Sequence, residues 1–457
     1  MSQERTTRND GTGGPYRREE GADEGRSGGS GGVDPVLAWN ELLAERIRED
    51  ELGTAGASRT FCLLDTSIYD AVNGIDAARP EESHCEPYAV DPDVEPAASR
   101  PAAANAAGHE VLTAYFGTDP RFEETFATID EGLYGADRNV RKGTAWGREV
   151  ASEILALRAD DGHDAGTTYE IGEGSVCTEP ACFRYEWGSP HFSRVDPWTW
   201  DVEADGRDAF RPDGPPPLDG GEYAASWIEL HERGEDRADR PPEQVEIAEF
   251  WRGGAGTTRP SGRWMVIGLT VASEADLSIS ETARLFAHLA LALGDAVIST
   301  WECKAHYGFW RPITAIREAD ADGNDDTFAD EGWTPLAVGG SPEYSSGLAA
   351  FGGAGRAVLV EYFGDGTPFD LTLHAGNSPE ELSPTTRSFD SFSDALSESM
   401  DSRVYVGNHF RFTLDDSREA GEEIGEHVLE THLTPVDSDR PGRGRGRRGD
   451  SGDVPAE

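Results

Sequence analysis

Apolar positions recur at helical spacing along most of the chain. In "DPVLAWNELLAERIRED" they fall three and four residues apart behind Pro35, which predicts an amphipathic helix with the proline near its start. "SRTFCLLDTSIYDAVNGID" keeps that period with a wider apolar face, so it reads as a second, more buried helix ended by Gly74. Two further helices are expected from about Ala102 and from Arg141. From about residue 160 to 220 the chain turns rich in Gly, Pro and Trp ("HFSRVDPWTWD", "FRPDGPPPLDGGEY"), an irregular segment of the kind that covers or lines a site. Helical spacing resumes near Tyr223. The strongest element is "SISETARLFAHLALALGDAVISTWECKAHYGFW". Ser278 and Glu281 have capping-box spacing, the run is apolar on nearly every face, and Pro312 is expected to stop it. A helix of that kind belongs in the middle of a bundle. No convincing alternating strand pattern is found, so the predicted class is all-α. Residues 1–32 and 434–457 lack apolar periodicity and are expected to be disordered tails. Between them lie two helical regions, 33–255, which holds the irregular segment, and 256–433.

Charge sharpens this picture. The chain carries 87 acidic against 40 basic residues, a formal net charge of −47, and its two lysines are Lys142 and Lys304. That balance excludes nucleic acid and anionic membranes as partners. Acid spread along the whole chain with almost no lysine points to a halophilic source, because at molar salt the screening length falls to about 3 Å and self-repulsion is damped. The 37% hydrophobic content sets aside an acidic disordered protein. The apolar run from Leu285 to Ile298 is broken by His288 and Asp295 and is expected to be too short to span a bilayer, so no transmembrane segment is predicted. "MSQERTTRNDGTGG" has no apolar core of a secretory signal, and the expected compartment is cytoplasmic. Of five cysteines only Cys177 and Cys182 are close, in "CTEPAC"; a local disulfide is one reading, and two unpaired loop thiols in a reducing cytosol is the preferred one.

Three places put positive charge into apolar surroundings. In "KAHYGFWRP", Lys304 and Arg311 stand seven residues apart, on one side of a continuing helix. Two buried cations on one face need an anion; the plain alternative is pairing with a buried acid such as Asp295, or snorkelling to the surface. His306 points elsewhere on a regular helix. In "PEYSSGLAAFGGAGRAVLVEYFGD", Ser345 and Ser346 are good N-caps and Gly347 admits close backbone approach, so the start of that helix is an anion site or simply a capped, tightly packed end. In "FSDALSESMDSRVYVGNHFRF", Phe392, Leu396 and Met400 form a stripe, Arg403 falls on its buried edge, and His409 follows Gly407 and Asn408 where the helix should break. An inward Arg and a histidine past the helix end grip an oxyanion from two directions; the plain alternative is an Arg capping carbonyls beside a core histidine.

Taken in order, K-x6-RP, a Ser-Gly turn and SR-x5-H resemble the signature of the vanadium-dependent haloperoxidases, which is shared with type 2 phosphatidic acid phosphatases and bacterial acid phosphatases. "FWRPITAIR", "EYSSGLAAFGG", "SRVYVGNHFRF" and "SRTFCLLDTSIYDAVNGID" look like the soluble haloperoxidase branch. The resemblance implies a mostly helical fold of two four-helix-bundle-like halves, with vanadate as cofactor and phosphate able to occupy the same site. It implies His409 as the vanadate ligand, Lys304, Arg311 and Arg403 on the equatorial oxygens, and the Ser346 hydroxyl and Gly347 N–H as further donors. Trp301 matches an aromatic position that lines the halide site of some members. Small-molecule substrates follow, peroxide and halide or a phosphate ester, with a homo-oligomer left open. The chain departs from the family where its second motif ends in an acid/base histidine: here that position is Leu348. Ser345 replaces the usual proline, and Thr413 stands where some members carry an Asp that supports the ligand. The expected activity is oxidation of bromide or iodide rather than chloride, with His306 or water moving the proton. A phosphatase using His409 as nucleophile is the second reading, and a non-catalytic phosphate- or vanadate-binding protein the third.

Overall fold

The periodic segments do form helices, and the computed structural model describes residues 33–79, 82–133, 135–165, 175–376 and 381–436. The tail expected at 1–32 and most of that expected at 434–457 lie outside these residues. The chain starts with α1 (Pro35–Glu49), its first N–H groups taken by the Asp34 carboxylate, and α2 (Thr54–Ala77), buried along almost its whole length. Next come α3 (Arg100–Phe116), α4 (Pro120–Glu131) and α5 (Asp137–Leu157). Helix α4 was not among the expected elements; Phe122 and Ile129 are its buried residues, too sparse a stripe to read. Close approach of α5 to α3 depends on Gly147, where a Cβ would sit 2.1 Å from the Ala103 carbonyl oxygen. Beyond the irregular segment, which contains the short α6 (Val202–Asp205), come α7 (Gly221–Gly234), α8 (Pro242–Phe250) and α9 (Arg259–Glu274).

Helix α10 (Ile279–Tyr307) runs through the middle, packed by α2, α9, α12 (Gly347–Phe363) and α14 (Arg411–Thr431). Its expected capping box is present, with Ser278 and Glu281 bonding reciprocally. The expectation that this apolar run is too short to cross a bilayer does not hold: at 29 residues the helix is long and apolar enough, and its most apolar window is wholly buried in protein. Burial by other helices, not length, makes it a core helix. Asp295, midway along it, accepts from the Trp198 N–H at 2.7 Å and from the Thr199 hydroxyl. It therefore anchors the irregular segment rather than neutralising Lys304 or Arg311, and the pairing considered for it is set aside.

Helix α10 stops earlier than Pro312. Gly308, at φ 55°, takes the left-handed conformation that ends it, and Arg311 is the N-cap of a separate α11 (Pro312–Arg317). So Lys304 and Arg311 are not two turns of one helix. The strip between them is clipped to the irregular segment by backbone bonds, Val176 N–H to His306 O at 2.8 Å, Phe183 N–H to Gly308 O at 2.7 Å, and Trp310 N–H to Ala181 O at 2.9 Å. Cys177 and Cys182 are joined in a disulfide across that clip, which corrects the preference for two unpaired thiols.

The all-α expectation holds with one exception, an antiparallel hairpin of β1 (Phe369–Ala375) and β2 (Ser383–Phe389) before α13 (Phe392–Val406). In β1 residues 369, 371, 373 and 375 face inward, whereas β2 is exposed as far as Phe389, so only one strand of the pair carries an alternating signal.

Candidate functional site

The three cationic segments meet around one loop, residues 339–343. Lys304, in the last turn of α10, donates through Nζ to the carbonyl oxygens of Pro342 and Glu343. Arg311 donates from Nε to Ser341 O (2.7 Å), from Nη2 to Ser341 Oγ (3.0 Å), and from Nη1 to both oxygens of Asn408 (2.9 and 3.0 Å). Its guanidinium lies flush against Gly339, where a Cβ would be 2.4 Å from Cζ, so any other residue there would displace it. Arg403, near the end of α13, donates from Nη2 to Trp251 O at 2.8 Å and from Nε to Ser402 Oγ at 3.0 Å. All three are buried, and none forms an ion pair within 4 Å among the described residues. Burial pushes Arg311 down to about 10 and Arg403 to about 9; Lys304 is pushed well down by burial and by Arg311.

His409 lies past the end of α13, where Gly407 at φ 78° turns the chain. Its Nδ1 is 2.9 Å from Glu343 Oε1 and its Nε2 is 3.2 Å from Arg311 Nη1. A carboxylate only accepts, so Nδ1 carries the proton and Nε2 presents its lone pair to the cations. Burial, then Arg311, Lys304 and Arg403, hold the imidazole well below its usual range, so it is neutral at ordinary pH. Glu343 is fully buried and also accepts from the Phe410 N–H (3.0 Å) and the Thr413 hydroxyl (2.8 Å). Its carboxyl is itself pushed up by burial, against the pull of Arg311. Thr413 thus meets His409 through the Glu343 carboxylate, which arrives from a different segment.

Ser346 is the N-cap of α12, yet its hydroxyl makes no capping bond and is buried without a partner among the described residues, while its N–H donates to Ser417 Oγ at 2.8 Å. Gly347 follows as the first helical residue, whose N–H has no intrahelical acceptor. Hydrogen bonds thus link Lys304, Arg311, His409 and Ser346 by way of Ser341, Glu343, Thr413 and Ser417, while Arg403 adds its charge to the surroundings of His409 and Gly347 follows Ser346 at the start of α12. Leu348 is buried in the first turn of α12 and adds no proton-carrying group. Trp301, one turn before Lys304, donates to Ser189 O at 3.0 Å. His306 is not brought into the cradle: it is half-exposed, its electrostatic neighbours being Arg211, Glu302 and Asp208. Sequence reasoning missed Glu343, Ser341, Asn408 and Gly339. A signal for the first was present, since Glu343 is the single charged residue between Glu331 and Arg356 in an otherwise acid-rich chain.

Buried cations outnumber the one buried carboxylate among them, and a buried hydroxyl beside them has no partner. The donor set therefore suits a compact oxyanion such as phosphate or vanadate. Residues 284–438 match the family model described as the VCPO second helical-bundle domain. The vanadium chloroperoxidase of Curvularia inaequalis is 28% identical over 200 residues, spanning 34% of this chain and 32% of that protein, so the match covers about a third of the relative's length. The crystal structure of a bacterial vanadium-dependent iodoperoxidase superposes with a TM-score of 0.68 at 23% identity, over 88% of this chain and 97% of the other. A holo-type bacterial vanadium-dependent chloroperoxidase gives 0.61 at 18% identity, over 87% and 95%. Residues 284–438, which hold the cradle, thus match the VCPO second helical-bundle domain, on a chain whose fold is that of the solved vanadium-dependent haloperoxidases.

Proposed function

We propose that this chain is a vanadium-dependent haloperoxidase that oxidises iodide or bromide with hydrogen peroxide, at a vanadate held by His409. The observation that carries the reading is the convergence of three unpaired buried cations on a histidine whose Nε2 lone pair is presented to them, beside the orphan Ser346 hydroxyl. The vanadate, when bound, supplies the activation of peroxide and the two-electron oxidation of halide. The chain supplies the rest. Lys304, Arg311 and Arg403 hold negative charge in a water-poor site, where preorganised donors need no reorganisation as charge shifts between oxygens. Glu343 keeps Nδ1 of His409 protonated, so the Nε2 lone pair, which here accepts from Arg311 Nη1, would be the one to hold the metal. Ser346 Oγ and the Gly347 N–H complete the donor set.

What the site lacks decides its strength. A positioned general acid or base contributes about 10²- to 10⁴-fold, and Leu348 can supply none of it. Protons must then be exchanged with water, which favours the more easily oxidised halides, and the bacterial relative of highest TM-score quoted above is an iodoperoxidase. The test is a paired assay in high salt, vanadate-dependent iodide and bromide oxidation against nitrophenol release from its phosphate ester, repeated with Leu348→His and His409→Ala. Halide oxidation should require added vanadate, rise about 10-fold or more with Leu348→His, and vanish with His409→Ala. Ester hydrolysis inhibited by vanadate, with no halide oxidation, would make the protein a phosphatase. Silence in both assays until the histidine is restored would make it a binder.

A further inference from the structure

Threonines inside helices usually return their hydroxyl to the carbonyl four residues back, and this chain follows the habit. Thr60 bonds Gly56 O, Thr66 bonds Cys62 O, Thr144 bonds Val140 O, Thr270 bonds Val266 O and Thr282 bonds Ser278 O, all between 2.6 and 3.0 Å. Thr300 does not. It lies on α10 four residues before Lys304, on the same face, almost fully buried, and its Oγ1 has no hydrogen-bond partner among the described residues. Thr113 shares the missing bond but is only half-buried on α3. Thr300 also abuts the cradle, its Cγ2 being 3.6 Å from where a Cβ on Gly347 would stand. Two residues whose buried hydroxyls lack partners among the described residues, Thr300 and Ser346, therefore adjoin the same glycine.

A buried hydroxyl left unpaired costs stability and persists where a ligand completes it. We propose that Thr300 is an additional anion-positioning residue of the cradle, its hydroxyl donating to an oxygen of the bound oxyanion. The role rests on the reading of the cradle as an oxyanion site. An alcohol does not exchange protons as an imidazole does, so Thr300 holds the anion without restoring the missing acid/base step. It predicts a site that binds well and turns over slowly.

The test uses the unloaded, full-length protein in high salt. Binding of orthovanadate and, separately, of inorganic phosphate is measured by calorimetry for the wild type, Thr300→Val, Thr300→Ser and His409→Ala, with melting temperatures taken with and without each anion. Thr300→Val should weaken both anions about 10-fold, the loss of one hydrogen bond to a charged group. Thr300→Ser should bind close to wild type. In anion-free buffer Thr300→Val should melt no lower than wild type, because it removes an unpaired buried hydroxyl at nearly constant shape. Equal affinity in Thr300→Val and wild type would overturn the role of Thr300 while leaving the cradle standing, provided His409→Ala still loses vanadate. A lower anion-free melting temperature in Thr300→Val, with Thr300→Ser equally weak in binding, would make the residue structural and also overturn it. A wild type that binds neither anion would remove the cradle reading, and this inference with it.

Discussion

Glu343 carries three of the contacts that hold the link between α13 and α14 in place: His409 Nδ1, the Phe410 N–H and the Thr413 hydroxyl. Groups that orient a metal-binding histidine in this way typically govern affinity by about 10- to 100-fold. Glu343→Ala should weaken vanadate binding by about that much, because the ring loses the acceptor that fixes its tautomer. Glu343→Gln keeps an acceptor of the same shape and should retain most of the affinity. Equal binding in Glu343→Ala and wild type would mean that something else sets the tautomer. The same residue shows why a buried acid is not simply a counter-ion. Its carboxylate is spent on His409, Phe410 and Thr413, and Lys304 reaches only its backbone oxygen. The cations keep their surplus charge for a ligand.

Among the elements, the strip between α10 and α11 sets the spacing of Lys304 and Arg311, and it is held from outside by the Cys177–Cys182 loop. Closing a loop of six residues removes on the order of 2 kcal/mol of chain entropy from the open form. Reducing the bond with a dithiol should therefore loosen the clip, seen as faster hydrogen exchange at Phe183 and Trp310 and as weaker phosphate binding. Exchange that stays unchanged at those two amides would show that the backbone bonds suffice without the crosslink. The clip also explains why an irregular, Gly- and Pro-rich segment is tolerated here. Its polar backbone is satisfied by the strip it covers, and its far end is moored by Asp295.

For the whole molecule, a net charge of −47 is the property most sensitive to surroundings. We read it as an adaptation to concentrated salt, in which case melting should rise by about 10 °C or more between 0.1 and 2 M potassium chloride, equivalent to a few kcal/mol. A melting temperature independent of salt would end that reading. The helical class was legible from the sequence because a 3.6-residue apolar period is local, and so were the capping box at Ser278, the break at Gly407, and Lys304, Arg311, Arg403 and His409 as inward-facing groups. Helix α4 escaped notice because it carries too few buried positions to set a period, and the hairpin because β2 has no alternation to pair with that of β1. The sequence could not decide which carboxylate meets which base: Asp295 and Glu343 are both buried acids near the cations in chain order, yet one moors a loop and the other orients His409. Nor could it show that α10 ends at Gly308, that Cys177 meets Cys182, or that Thr300 lies against Gly347. Periodicity and capping act over a few residues and are written in one stretch of chain. Pairing of buried polar groups depends on which segments arrive at the same place, and only the packed helices determine that.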